Sequence, residues 1–69
     1  MRTELIKASK MHYKAHIEKH RINVEVMLQK PMALAEHADI MDAIEREIAL
    51  IAEYHDKLDV IKTYFSDKE

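Results

Sequence analysis

Residues 40–65 read IMDAIEREIALIAEYHDKLDVIKTYF, and this stretch decides the fold. Its apolar residues recur in steps of three and four, the heptad spacing of one side of an α-helix. We predict that one such row forms a dimer core: Met41, Ile44, Ile48, Ile51, Leu58 and Phe65. A second row on one flank consists of Ile40, Ala43, Leu50, Tyr54 and Ile61. At about 100° per residue the two rows cover roughly half of the helix, which one partner helix cannot cover.

A second amphipathic helix precedes this stretch. The row predicted to face inward is Leu5, Ala8, Met11, Ala15, Ile22, Val26 and Met27, with Ile6, Tyr13, Ile17 and Val24 on its flank. The side opposite to it is predicted to be basic and carries Lys7, Lys10, Lys14 and Arg21. Because each helix needs two neighbours, we predict that two hairpins pair into a four-helix bundle.

The connection between the helices contains Pro31, the only proline of the chain. Proline has no amide hydrogen and disfavours helical angles in the residue before it, so the first helix should end near Gln29. Asp39 and Asp42 favour the start of the second helix through its dipole. We therefore predict an all-α fold, an antiparallel two-helix hairpin with helices at about 3–29 and 37–65. It forms one domain, 1–69, with a loop at about 30–36 and a frayed end at 66–69.

Composition limits what can hold so small a fold together. The 69 residues include no cysteine, which excludes disulfides and thiolate metal sites. A single core of this size supplies only ~3–5 kcal/mol, so we expect a second copy of the chain, a homodimer, to add stability. The longest apolar run, 48–52, is far shorter than the ~20 residues of a transmembrane helix. We expect a soluble, cytoplasmic protein with no membrane partner.

Charge is divided unequally along the chain. Residues 1–30 contain seven Lys or Arg and three Asp or Glu, a net charge of +4, and residues 31–69 contain four and ten, a net charge of −6. Opposite charges on two antiparallel helices favour their pairing. The basic row of the first helix is either an ordinary solvated face or a candidate face for a partner. Nucleic-acid binding through that helix is a further alternative, but the acidic pI of about 6.2 speaks against it.

Histidines provide the strongest chemical signal. His12, His16 and His20 recur every four residues, so a helix stacks them along one side. In an antiparallel hairpin, facing residue numbers should sum to about 66, which places His12 opposite Tyr54 and His55, and His20 near Glu47.

These positions predict two polar layers, one of His12 with His55 and one of His20 with Glu47. Two interpretations of the layers remain open. Buried polar layers fix the register of helical bundles. Alternatively, imidazoles one turn apart can bind a divalent transition metal such as zinc. The candidate metal ligands are His12, His16, His20, Glu47 and His55.

No catalytic motif accompanies these residues. The chain has no His-Glu-x-x-His or Glu-x-x-His string, and its two serines, Ser9 and Ser66, lie in no nucleophile elbow. We therefore expect no enzyme and no resident cofactor.

The segment from Pro31 through EHADIMDAIEREIALIAEYHDKL to TYF, about residues 31–65, resembles short uncharacterised helical-hairpin proteins of tailed bacteriophages of marine bacteria. This resemblance implies a helical hairpin in a phage context, and hence the host cytoplasm. It further implies a small accessory factor that binds a host or viral protein. It carries over no functional residues.

These observations lead to two alternative expectations for the function of the protein, which belong to different functional classes. The first is a non-enzymatic interaction protein, a homodimeric bundle that binds an unknown protein. The second is a metal-binding bundle that uses the row of histidines.

Overall fold

The computed structural model describes residues 1–29 and 37–66 and consists of two long helices. Helix α1 spans Arg2–Gln29 and helix α2 spans His37–Tyr64. They pack side by side in a rod of 52 × 17 × 15 Å. The predicted all-α antiparallel hairpin is confirmed, and the helix ends lie within a residue of those predicted. The predicted loop at 30–36 and most of the predicted frayed end, 67–69, lie outside the described residues.

The two chain ends meet, which establishes the antiparallel arrangement. The Arg2 Nη2 atom donates a hydrogen bond to the carbonyl oxygen of Phe65 at 2.6 Å. At the start of α1, the terminal amino group pairs with Glu4 at 2.9 Å, where the helix dipole favours a carboxylate. At the end of α2, the Phe65 amide and the Ser66 hydroxyl both donate to the carbonyl of Ile61, so the last turn is closed.

The seam between the helices follows a heptad pattern. In α1, single seam residues spaced by seven alternate with pairs of half-buried residues, and His20 is the one buried residue among them. The residues of α1 in the seam are Ile6, Ser9, Lys10, Tyr13, His16, Ile17, His20, Asn23, Val24 and Met27. Those of α2 are Ile40, Ala43, Ile44, Glu47, Leu50, Ile51, Tyr54, Leu58 and Ile61.

The orientation predicted for α1 is wrong within a single hairpin. Of the row expected to face inward, only Met27 lies in the seam, and Leu5, Ala8, Met11, Ala15, Ile22 and Val26 are exposed. The predicted flank, Ile6, Tyr13, Ile17 and Val24, contacts α2 instead. A polar contact explains this rotation. His20 can hydrogen-bond Glu47 only if the side of α1 that carries both His20 and Ile6 faces the seam. The basic row consequently lies beside the seam and not opposite to it, with Lys10 half-buried.

The two predicted apolar rows of α2 differ in burial. The flank predicted at Ile40, Ala43, Leu50, Tyr54 and Ile61 is half-buried in the seam. Of the predicted dimer core, Leu58 is buried, Ile44 and Ile51 are half-buried, and Met41, Ile48 and Phe65 are more than half exposed. Within the described residues, neither helix has a stretch long and apolar enough to cross a membrane.

The substitution Ile51→Asp should unfold the hairpin or lower its free energy of unfolding by at least about 2 kcal/mol, because it places an unpaired carboxylate in the seam. Urea unfolding followed by circular dichroism measures the change. Lys14→Ala is the control on the exposed surface and should have a much smaller effect. If the two substitutions were equally damaging, the seam would not be the stabilising contact.

Candidate functional site

The centre of the seam contains a polar cluster of His20, Asn23 and Glu47. His20 is the only buried polar residue in the described part of the chain, with 7% of its surface exposed. Its Nδ1 lies 2.7 Å from Glu47 Oε1, and Asn23 Nδ2 donates to the same oxygen at 2.9 Å. A carboxylate only accepts hydrogen bonds, so the His20 Nδ1 carries the proton.

Hydrogen bonds hold Glu47 in its ionised form. The Asn23 amide has the largest effect and the His20 ring the next largest, and together they keep the pKa of Glu47 below its usual range. Burial opposes this shift but is outweighed. The predicted contact between His20 and Glu47 is confirmed. Asn23 was missed as its third member, although its position three residues after His20 on the same side of α1 was a usable signal.

A column of rings continues from this cluster towards the chain ends. His16 stacks on Tyr54 with centroids 4.3 Å apart and planes 11° from parallel, and His12 meets the edge of His16 at 4.5 Å. The Lys57 Nζ atom lies 4.9 Å from the centre of the Tyr54 ring. The aromatic contacts of the column thus join α1 to α2, and the cation–π contact lies within α2.

His16 has no hydrogen-bond partner for its Nδ1 atom, which is buried. Burial lowers the pKa of His16, and the nearby positive charges of Lys19 and Lys57 and the rings of His12 and His20 lower it further. The imidazole is therefore kept neutral at neutral pH.

The predicted position of His12 opposite Tyr54 is confirmed, but the predicted pairing of His12 with His55 is wrong. His12 contacts Tyr54 with ring centroids 6.4 Å apart, whereas His55 is exposed and lies 3.8 Å from Asp59 of its own helix. Neighbouring residues of a helix point about 100° apart, so Tyr54 in the seam directs His55 away from α1. The residue numbers of facing pairs sum to 66–70, close to the expected 66, as in His12 with Tyr54, His20 with Glu47 and His16 with Tyr54.

The candidate metal ligands are consequently not assembled in one chain. His16, His20 and Glu47 lie in the seam and the exposed His12 contacts His16, but His55 does not join them. Within residues 1–29 and 37–66, no group of three or more His, Asp or Glu side chains is arranged to hold a metal ion.

The candidate partner face lies on the other side of α1 from the ring column. Lys7, Lys10 and Lys14 border a groove of about 320 Å³ near the chain ends, which we call the basic groove; its remaining lining residues are Thr3, Ile6, Met11 and Ser66. Arg21 does not belong to it, because its guanidinium pairs with Glu18 at 2.8–3.1 Å. The stripe predicted from sequence is thus a groove of three lysines and a separate ion pair.

Comparison with protein-family models, with curated proteins and with solved structures finds no match to this chain.

A double-mutant cycle of His20→Ala and Glu47→Ala should show a clear coupling in the free energy of unfolding, because either single change leaves a partner in the seam unpaired. Glu47→Ala alone should cost more stability than the double change. Chemical denaturation of the four proteins measures the coupling. The matched control is the exposed pair of Glu18 and Arg21, which should couple weakly. Coupling in the seam no larger than in this control would contradict the assigned role.

Stability should decrease as the pH falls below about 6.5, the value for an unfolded histidine. Because the folded pKa of His16 is lowered, the unfolded chain binds more protons than the folded chain in this pH range. Proton binding therefore favours unfolding until the pH has fallen below the folded pKa of His16. The lowered pKa of Glu47 acts in a separate window, because its contribution is present above about 4.3 and is lost as the pH falls through the lowered value.

Melting temperatures measured from pH 8 to pH 4 check this. His16→Gln should flatten the upper part of the profile, whereas His55→Gln, at a histidine that is 65% exposed, should leave it unchanged. An identical profile for His16→Gln and the unmodified chain would contradict the prediction.

Proposed function

We propose that this chain is a small non-enzymatic interaction protein that acts as a homodimeric helical bundle and binds another macromolecule. One observation carries the proposal: Leu58, with 8% of its surface exposed, is the only buried apolar residue in the described part of the hairpin. A hairpin with so small a core gains little from hydrophobic burial, and a second copy is the simplest additional source of it.

Both helices leave large apolar side chains uncovered. In α1 these are Leu5, Met11, Ile22, Val26 and Leu28, and in α2 they are Met41, Ile48, Val60 and Tyr64, followed by Phe65 just beyond the helix. Their exposed fractions range from 40% to 72%. A second molecule that covers some of these side chains would add the apolar burial that one hairpin lacks.

The predicted dimer core supports a specific surface for the second copy. Met41, Ile44, Ile48 and Ile51 form one continuous row on α2, which we call the isoleucine face. Ile44 and Ile51 lie at the edge of the seam, and Met41 and Ile48 extend outward with 56% and 51% of their surface exposed. A two-fold axis would bring the same row of both copies together and would create a core in which all four residues are covered.

The partner and the biological context rest on the sequence. The resemblance to phage helical-hairpin proteins supports an accessory factor in the host cytoplasm that binds a host or viral protein. The non-enzymatic character rests on the lack of a catalytic motif in the 69 residues. A protein partner also suits an elongated hairpin, which offers long side faces and few concave sites.

Sedimentation equilibrium at micromolar concentration should give about twice the chain mass of 8.2 kDa. Ile48→Asp should yield a monomer, because it places a charge at the centre of the isoleucine face. The matched control is Val60→Asp, at a residue that is 40% exposed and lies on the flank of α2 that carries Lys57. A folded monomer for the unmodified chain would refute the homodimer. A dimer for Ile48→Asp would place the second copy on another face.

A further inference from the structure

The basic groove brings three lysines to one side of α1 near the chain ends. Lys7, Lys10 and Lys14 are spaced by three and four residues, so their ammonium groups lie along the same side of the helix. Like charges at this spacing repel each other and destabilise a helix. The groove therefore carries an electrostatic cost that a bound anion would remove.

Some of the other basic residues form ion pairs with glutamates of their own helix. Arg21 pairs with Glu18, and Lys57 pairs with Glu53 at 2.9 Å. Within residues 1–29 and 37–66, Lys7, Lys10 and Lys14 form no ion pair. Carboxylates of their own helices thus neutralise Arg21 and Lys57, whereas the three lysines of the groove have no such partner within the described residues and can pair with an acidic ligand.

The floor of the groove is apolar. Ile6 is half-buried beneath the lysines, and Met11 presents 61% of its surface at the side of the groove. Methionine adapts its shape to an apolar partner at little cost, and lysine stems extend the apolar surface. Such a groove fits a ligand that combines carboxylates with apolar side chains.

The basic groove and the isoleucine face lie on the same side of the hairpin. His16 and Lys57 both contact the Tyr54 ring, so these two residues mark one side of the hairpin. Ile48 lies nine residues before Lys57 and thus points about 180° away from it on α2, and Lys14 points about 160° away from His16 on α1. Both residues therefore face the other side, which is basic near the chain ends and apolar towards the opposite end.

We propose that the basic groove binds an acidic, amphipathic helical segment of a partner protein. Glutamate or aspartate side chains of that segment pair with Lys7, Lys10 and Lys14, and an apolar side chain packs on Ile6 and Met11. The proposal rests on the proposed interaction function and specifies the chemistry of the partner. This is the helix-in-groove mode of peptide recognition, in which apolar anchors give affinity and flanking charges give orientation.

Other occupants fit the groove less well. A nucleic-acid backbone offers no apolar group for Met11, and Glu4 and Glu18 lie one heptad to either side of Met11, where they would repel a long polyanion. A second copy in register would place the lysines of one chain beside those of the other. An acidic segment as short as the groove avoids both conflicts.

The test uses a designed peptide and the full chain labelled with ¹⁵N. From Thr3 to Lys14 the groove spans about 16 Å at ~1.5 Å per residue, so the peptide is a helix of about eleven residues with leucines along one side and glutamates beside them. Titration should shift the amide resonances of residues 3–14 saturably. A matched peptide with glutamine in place of glutamate should bind at least about tenfold more weakly.

Variants of the chain test the lysines themselves. The double variant Lys10→Gln/Lys14→Gln should also bind the acidic peptide about tenfold more weakly, while its circular dichroism spectrum stays helical because lysine and glutamine have similar helix propensities. Lys19→Gln is the matched control, since Lys19 is an exposed lysine of the same helix near His16. It should leave the affinity unchanged.

Several results would overturn the proposal. Equal binding of the acidic and the glutamine peptides, unchanged resonances in the groove, or equal loss of affinity in Lys19→Gln would each do so. Tighter binding of a DNA duplex or of vesicles of anionic phospholipid than of the peptide would assign the groove to that class of ligand instead. Sedimentation equilibrium distinguishes failure of this proposal from failure of the homodimer. A dimer that does not bind the peptide refutes only the proposed role of the basic groove. A monomer that binds the peptide refutes only the homodimer.

Discussion

The hydrogen bond between His20 and Glu47 is the constraint on which the rest of the hairpin depends. It joins the middle of α1 to α2 at 2.7 Å, in the part of the seam where His20 is buried. A polar pair in such a place has few acceptable alternatives, because any rotation or shift of one helix would leave both groups without a partner. Asn23 strengthens this restriction by donating to the same carboxylate oxygen. One contact thereby fixes both the rotation of the helices and their register.

The position of every other surface follows from this rotation. With His20 in the seam, Leu5, Ile22 and Val26 are turned outward, although their hydropathy alone would favour burial. On α2 the same rotation divides the predicted core, so that Leu58 is covered while Ile48 remains exposed. The hairpin thus forms a satisfied polar cluster at the expense of apolar burial within one chain, and it leaves apolar side chains exposed on both helices.

Much of this could be predicted from the sequence, and the failures have physical causes. Pro31 and the heptad rows predicted two antiparallel helices with nearly correct bounds, because local backbone preferences decide where helices start and stop. The contact of His20 with Glu47 was predicted because an unpaired carboxylate within an apolar arc requires a partner.

The rotation of α1 could not be predicted in the same way. Its apolar residues are spread so widely that several orientations bury similar amounts of hydrocarbon, and only the polar contact distinguishes them. The pairing of His12 with His55 failed for a related reason. The sequence placed both Tyr54 and His55 opposite His12, but neighbouring residues of a helix point about 100° apart, and only Tyr54 contacts the histidine row. The basic groove was missed as a concave site, because its wall includes Ser66 from the distant end of the chain.

The contacts along the seam also imply an order of events when the chain folds. Asn23 and Glu47 are 24 residues apart in sequence, His20 and Glu47 are 27 apart, and Arg2 and Phe65 are 63 apart. Loop-closure entropy rises with separation, so contacts of short separation form at lower cost and each one shortens the loop that the next must close. We expect the contacts between the two helices to form in order, first near His20 and then successively towards the chain ends. The terminal turns, including the walls of the basic groove, would then be the last to close and the first to open, so a partner bound there would slow the opening of the whole hairpin.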